Sequence, residues 1–227
     1  CLARALTAAG RSGAAVEAVL SDQFVRYALV PWNRDLVSDA ERRAFAAASF
    51  KQLFGAMADS WQVTVDEQPA GKASFACAVD RGLLDAVRAL CKANRLRLRG
   101  VQPLFAQRFN RNRHRITPPT CWVGSLDAGR LTLALRSDGS WSGIRAVRTA
   151  EYSTAELATV LRQESAALGA TLGGPLFLMG REETLREIGA LPGWNIVRMA
   201  DGKESGKVQV RAAPRGTPSD DQIKEAS

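Results

Sequence analysis

The stretch "VLSDQFVRYALVPWN", residues 19–33, sets the reading of the whole chain. Two apolar runs flank Asp22-Gln23, and Pro31-Trp32 closes the second, so the pattern predicts two strands joined as a hairpin. Arg26 interrupts the second run, and Trp32 ends it on what reads as an exposed edge. An arginine and a tryptophan so placed suit a docking or packing face better than a catalytic one.

Working outward, residues 1–11 carry Leu2, Ala5, Leu6 and Ala9 at helical spacing and stop at Gly10, which predicts a short helix. Cys1 is not an encoded start, so further residues are expected before it. On the other side, Ser38 and Glu41 form a capping-box signature for a helix over about 39–58, with Phe50, Leu53, Phe54 and Met57 expected on one face. Strands at 61–67 and 73–80, joined through Pro69-Ala70-Gly71, precede a helix at 81–94 capped by Asp80. A strand over 95–104 alternates arginine with apolar residues, and a basic helix or connector over 105–115 runs up to Pro118-Pro119.

After the proline pair the order changes to strand, strand, strand, helix, strand, helix, strand. The strands are CWVGSLD, RLTLALR, SWSGIRAVR, PLFLMG and WNIVRMA, with turns at Asp127-Ala128-Gly129 and Ser137-Asp138-Gly139. Ser153 and Glu156 open the first helix of this half. The expected fold is therefore α/β and actin-like, two ribonuclease-H-like subdomains, the first lacking its opening hairpin. The expected limits are 1–117, 118–200, and a polar tail at 201–227 in which KVQVRA is a candidate edge strand.

Composition narrows the function. At 227 residues with 46% hydrophobic content the chain can build a substantial core. Its net charge of +8 is largely arginine, which draws attention to acidic partners. No apolar run is long enough to cross a bilayer and no signal peptide is evident. Cys1, Cys77, Cys91 and Cys121 lack CxxC spacing and read as buried free thiols of a reducing compartment. A lone histidine, His114, gives no basis for a histidine metal site or a triad.

With that order in hand, the hairpin stretch, "ACAVDRGLLDAVRAL" and "LRGVQP" resemble the actin-like cytoplasmic domain of the type II secretion L protein. They also resemble the actin-like inner-membrane assembly proteins of type IV pili. The resemblance covers about residues 14–200 and rests on apolar patterns. It implies a scaffold at the cytoplasmic face of the inner membrane, docking inner-membrane subunits and an assembly ATPase, with a homodimer left open. Two departures stand out. The membrane helix and periplasmic domain of the secretion protein have no counterpart here, nor has the DxGxxxxK hairpin of the pilus protein.

In that superfamily, two glycine-bearing turns hold nucleotide phosphates and a third loop packs on the adenosine. The resemblance puts Asp127 and Gly129 at the second phosphate turn and Gly180 at the adenosine loop, with one glycine where the pattern has two. Taken alone, the same residues are an ordinary hairpin turn and a strand-to-helix turn. Glu182 and Glu183 suit a helix N-terminus and repel phosphate. The expectation is a protein without catalysis and without a cofactor, Mg-ATP not being favoured. An actin-like ATPase whose first phosphate turn lies upstream is the alternative.

The densest charge, Arg95 to Arg115, interleaves with Phe105 and Phe109, which raises a nucleic-acid reading. No nucleic-acid fold signature accompanies it, so a solvated face or an acidic protein or anionic membrane surface is preferred. Arg26, Trp32, Arg34, Arg108, Arg111 and Arg113 are the expected partner-contacting residues.

Overall fold

The computed structural model describes residues 13–149 and 152–202. The expected helix at 1–11, Cys1 and the KVQVRA strand lie outside the described residues.

In the second half, β6 (Cys121–Asp127), β7 (Arg130–Ser137) and β8 (Ser140–Arg148) form an antiparallel meander. Each two-residue turn has positive φ at both positions, Ala128 and Gly129 at +41° and +75°, Asp138 and Gly139 at +52° and +75°. That backbone matches the twist of the flanking strands and explains the two D-x-G or D-G turn signals. Ser153 caps the helix at Thr154–Ala167, where its side chain accepts from Glu156 N at 3.2 Å. This helix, α4 in chain order, leads to β9 (Gly174–Gly180), a short helix α5 (Glu182–Glu187) and β10 (Trp194–Ala200). The strand order β10-β9-β6-β7-β8, with β9 parallel to β6 and β10 parallel to β9, is the expected ribonuclease-H-like order. Leu157, Val160 and Leu161 of α4 pack on Leu131, Leu133, Leu176 and Leu178 on one face of the sheet.

The first half corrects the opening expectation. β1 (Ala15–Leu20) and β2 (Val25–Val30) are not a hairpin. β1 pairs in parallel with β5 (Arg97–Pro103), while β2 pairs with β4 (Ser74–Asp80), which in turn pairs with β3 (Trp61–Val65). The connection lacks the Asn-Gly type of residue that closes a tight hairpin. Ser21 instead caps a single 3-10 turn over Asp22–Phe24, sending β2 into a different sheet. The helix Arg81–Ala93 (α2) starts on the Asp80 cap, whose carboxylate accepts from Leu83 N at 3.1 Å, and carries the crossover into β5. Among the described residues, β1 and β5 pair with no other strand, so no antiparallel hairpin flanks β1.

The β2-β4-β3 sheet is covered on both faces. The helix Asp39–Phe54 (α1) packs Ala46 and Phe50 on one face. Here a second expectation changes: the buried stripe runs Ala46, Phe50, Phe54, leaving Leu53 and Met57 at 67% and 65% exposure. Gly55, at φ +66°, ends the helix and turns Met57 outward. On the other face, Tyr27, Leu29 and Phe75 meet the five-stranded sheet and α3 (Leu104–Asn112). Phe75 and Trp141 stand with ring centroids 4.4 Å apart, and Phe109 packs edge-on to Trp141 at 4.9 Å. This aromatic seam joins the two halves.

Candidate functional site

Parallel strands of an α/β sheet place their ligands outside their carboxyl ends. Here that end is formed by Asp127, the last residue of β6, Gly180, the last of β9, and Asp201, just past β10. Gly180 lies close on β6: a Cβ there would stand 3.4 Å from both Leu126 Cβ and its carbonyl oxygen. Its own carbonyl accepts from Asp201 N at 2.7 Å. Gly129 donates its backbone N–H to the Tyr152 hydroxyl at 2.5 Å, and its carbonyl accepts from Thr149 N at 3.0 Å. The residues expected to meet a nucleotide, Asp127, Gly129 and Gly180, thus gather at one end of one sheet.

What fills that end is Arg108. Expected with Arg111 and Arg113 on an exposed basic surface, it is instead buried, with 4% of its side chain exposed. It stems from α3, and its Nη1 donates to Ser125 Oγ at 2.7 Å and to the Leu126 carbonyl at 2.9 Å. Its Nε donates to Asp201 Oδ1 at 2.9 Å, and its Nη2 is ion-paired with Asp201 Oδ2. Since β9 lies between β6 and β10, the guanidinium spans the carboxyl end of β9. A buried charge is tolerated when its donors are satisfied in this manner. Helical spacing held the clue: Arg108 shares a face with Phe105, three residues earlier and fully buried. Asp201, expected to begin a tail, is only 6% exposed at its side chain and belongs to the fold.

The first half adds two groups that sequence alone did not single out for chemistry. Ser21 Oγ donates to Asp127 Oδ2 at 2.5 Å. Asp22 is fully buried, and its Oδ1 accepts from the Tyr27 hydroxyl at 2.5 Å and from Phe105 N at 3.1 Å. Its Oδ2 has no hydrogen-bond partner. Burial pushes the Asp22 carboxyl up to about 6; the Tyr27 and Phe105 hydrogen bonds oppose the shift and the Asp127 charge adds to it. Burial and then Asp22 drive the Tyr27 phenol well above its ordinary value. In this arrangement a Mg-nucleotide does not fit without displacing protein groups. Asp127 already accepts from Ser21, the Gly129 N–H already has an acceptor, and Arg108 crosses the strand ends. Among the described residues no group of three or more His, Cys, Asp or Glu stands together to hold a metal.

The remaining expected residues are dispersed. Trp32, 48% exposed, and Asn33 line a groove of about 450 Å³ with Leu36, Arg42 and Glu67, at one end of the β2-β4-β3 sheet. Arg34 is exposed in the same loop. Arg111 and Arg113 are exposed on and after α3. Arg26, on β2, is half-buried and donates to the Gln23 and Val25 carbonyls at 3.2 and 3.1 Å.

Among solved structures, the cytoplasmic domain of EpsL, an inner membrane component of the type II secretion system of Vibrio cholerae, matches with a TM-score of 0.55 at 13% identity. The match covers 88% of this chain and 74% of that one. A PilM-PilN type IV pilus biogenesis complex matches with a TM-score of 0.64 at 14% identity, over 87% of this chain and 75% of that one. The chain has an actin-like fold. A Bacteroides thetaiotaomicron protein with an actin-like ATPase fold and unknown function also matches, with a TM-score of 0.50 at 11% identity, over 80% and 68% of the two chains. Both groups that the sequence resembles are therefore represented among structures of this fold. No protein-family model matches the sequence, nor does any curated protein.

Proposed function

We propose that this chain is a non-catalytic actin-like scaffold that docks partner proteins at the cytoplasmic face of the inner membrane in type IV pilus or type II secretion assembly. The observation that carries the reading is the self-occupied crevice. Arg108, Asp201 and Ser125 satisfy one another at the strand ends, and the Gly129 N–H is held by Tyr152. The similar structures include an inner membrane component of a secretion system and a pilus biogenesis complex, which supports that setting for this chain. No helix among the described residues is long and apolar enough to cross a membrane. Within the scaffold, the first subdomain is taken to end near Pro118-Pro119 and the second to run through Asp201. Its partners are taken to be inner-membrane subunits, and the Trp32–Arg34 loop is one contact.

Calorimetric titration of the full-length protein with Mg-ATP tests the non-catalytic half. No saturable heat is expected, and micromolar binding, with Asp127, Gly129 and Gly180 around the nucleotide, establishes the ATPase reading instead. Co-purification with pilus or secretion inner-membrane subunits tests the docking half, and failure to retain any of them overturns it.

A further inference from the structure

Three arginines gather where β2 meets the hairpin of β7 and β8. Arg130 and Arg148 sit directly opposite each other across the β7–β8 pair. Like charges in that relation oppose pairing. Alternation fixes the face they share. Ala134 and Ile144, an even number of residues away, pack toward β2, whereas Leu131, Leu133 and Val147 point into the core on the opposite side. Arg26 lies on β2, the edge strand that runs along β8, on the face opposite Tyr27 and Leu29. Its charge still reaches Arg130: after burial, the Arg26 and Arg148 charges depress Arg130 below the usual arginine range. The Arg130 Nε is shielded from solvent yet has no hydrogen-bond partner. Among the described residues none of the three forms an ion pair. Of the neighbouring carboxylates, Asp127 accepts from Ser21, and Asp22 accepts from Tyr27 and the Phe105 N–H through Oδ1 while its charge partly offsets the repulsion felt by Arg130.

We propose that Arg26, Arg130 and Arg148 form a docking site for an acidic, Asp/Glu-rich segment of a partner protein. The inference rests on the scaffold reading and gives the partner a chemistry. Guanidinium forks that hold no ion pair match carboxylates two bonds at a time. A phosphate site would add backbone N–H groups to the arginines, and the amide at the adjoining turn, Gly129, is already spent on Tyr152. Arg148 is exposed while Arg26 and Arg130 are half-buried, so the site opens outward and suits a chain segment laid across it.

The test is a fluorescence-anisotropy titration of the full chain with a fluorescein-labelled oligoglutamate peptide. The double variant Arg130→Gln/Arg148→Gln is expected to weaken binding about tenfold or more, and Arg26→Gln by a smaller factor. The control Arg97→Gln/Arg99→Gln removes the same charge from β5 and is expected to leave affinity within about twofold. Thermal melting separates loss of binding from loss of fold: Arg148→Gln relieves a like-charge pair and is expected to hold or raise Tm. Equal weakening by the β5 control, or a drop in Tm that accounts for the lost binding, overturns the site. Stronger and equally arginine-dependent binding of inorganic phosphate or of phosphatidylserine vesicles overturns the acidic-segment assignment. If inner-membrane subunits still co-purify with the double variant, this site fails while the scaffold reading stands. Saturable Mg-ATP binding overturns the non-catalytic reading and leaves the peptide result intact.

Discussion

Replacing Arg108 by methionine keeps the stem of the side chain and removes the guanidinium. Both Asp201 oxygens, Ser125 Oγ and the Leu126 carbonyl then lose a donor at once. With Asp201 only 6% exposed at its side chain, its charge has no ready access to water. Breaking one side of such a buried pair costs about 3–5 kcal/mol. For a protein of this size each kcal/mol corresponds to roughly 2–4 °C, so Tm should fall by roughly 6–20 °C. Differential scanning calorimetry, with urea midpoints as a second probe, measures it. Adding Asp201→Leu removes the stranded charge and should recover more than half of the loss, because a buried pair replaced as a unit by apolar groups is often close to neutral. A single-variant loss below about 1 kcal/mol, the range of exposed ion pairs, would place the Arg108 guanidinium in solvent and refute the plugged crevice.

Three further outcomes follow from single residues. Asp22 binds its proton more tightly folded (to about 6) than unfolded, so it lowers stability as pH rises from about 4 to 6, by roughly 3 kcal/mol in all. Asp22→Asn keeps an acceptor for Tyr27 and the Phe105 N–H, and the difference between wild type and variant in urea stability should therefore grow across that window; a constant difference contradicts the burial. Gly173 has φ +108°, and a Cβ there would lie 2.6 Å from the Gly193 carbonyl oxygen, so Gly173→Ala should cost about 1–3 kcal/mol or more; a Tm within 1–2 °C of wild type argues against that close approach. Burial pushes the Cys77 thiol up to about 11, so iodoacetamide at pH 8 should label it far more slowly than an exposed cysteine, and mass spectrometry finding rapid labelling counts against the packing.

The two halves differed in how far local pattern could reveal them. In the second, alternation, two turns of positive φ and a capped helix are all short-range signals, and each maps onto an element. In the first, the stretch 15–20 is apolar at nearly every position, the mark of a strand buried in a parallel sheet, and its partner lies some 80 residues on at Arg97–Pro103. A nearby second run made the hairpin look natural, while the parallel pairing has no local signature. At the site, turn chemistry exposed Asp127 and Gly129, because glycine and aspartate are needed for the backbone there. Asp22 left no such trace. Its burial depends on Tyr27 and on the Phe105 N–H at the start of α3, which lies 83 residues on in the chain.

That closure bears on what such a fold can do. Opening a cleft around a nucleotide requires two states separated by only a few kcal/mol, so that a ligand can shift one to the other. Here opening would separate Ser21 from Asp127 and Arg108 from Ser125 and the Leu126 carbonyl. It would also part the seam in which Phe75 stands 4.4 Å from Trp141 and Phe109 meets Trp141 edge-on at 4.9 Å. Each large side chain withdrawn from such a seam costs about 1.5–3 kcal/mol, and unpaired buried polar groups add to it. The sum exceeds what a modest differential affinity supplies. A body held shut by its own core is poorly suited to a cycle of opening and closing. In the proposed scaffold role, such a body would hold Trp32 and the Arg26, Arg130 and Arg148 cluster at fixed positions for a partner.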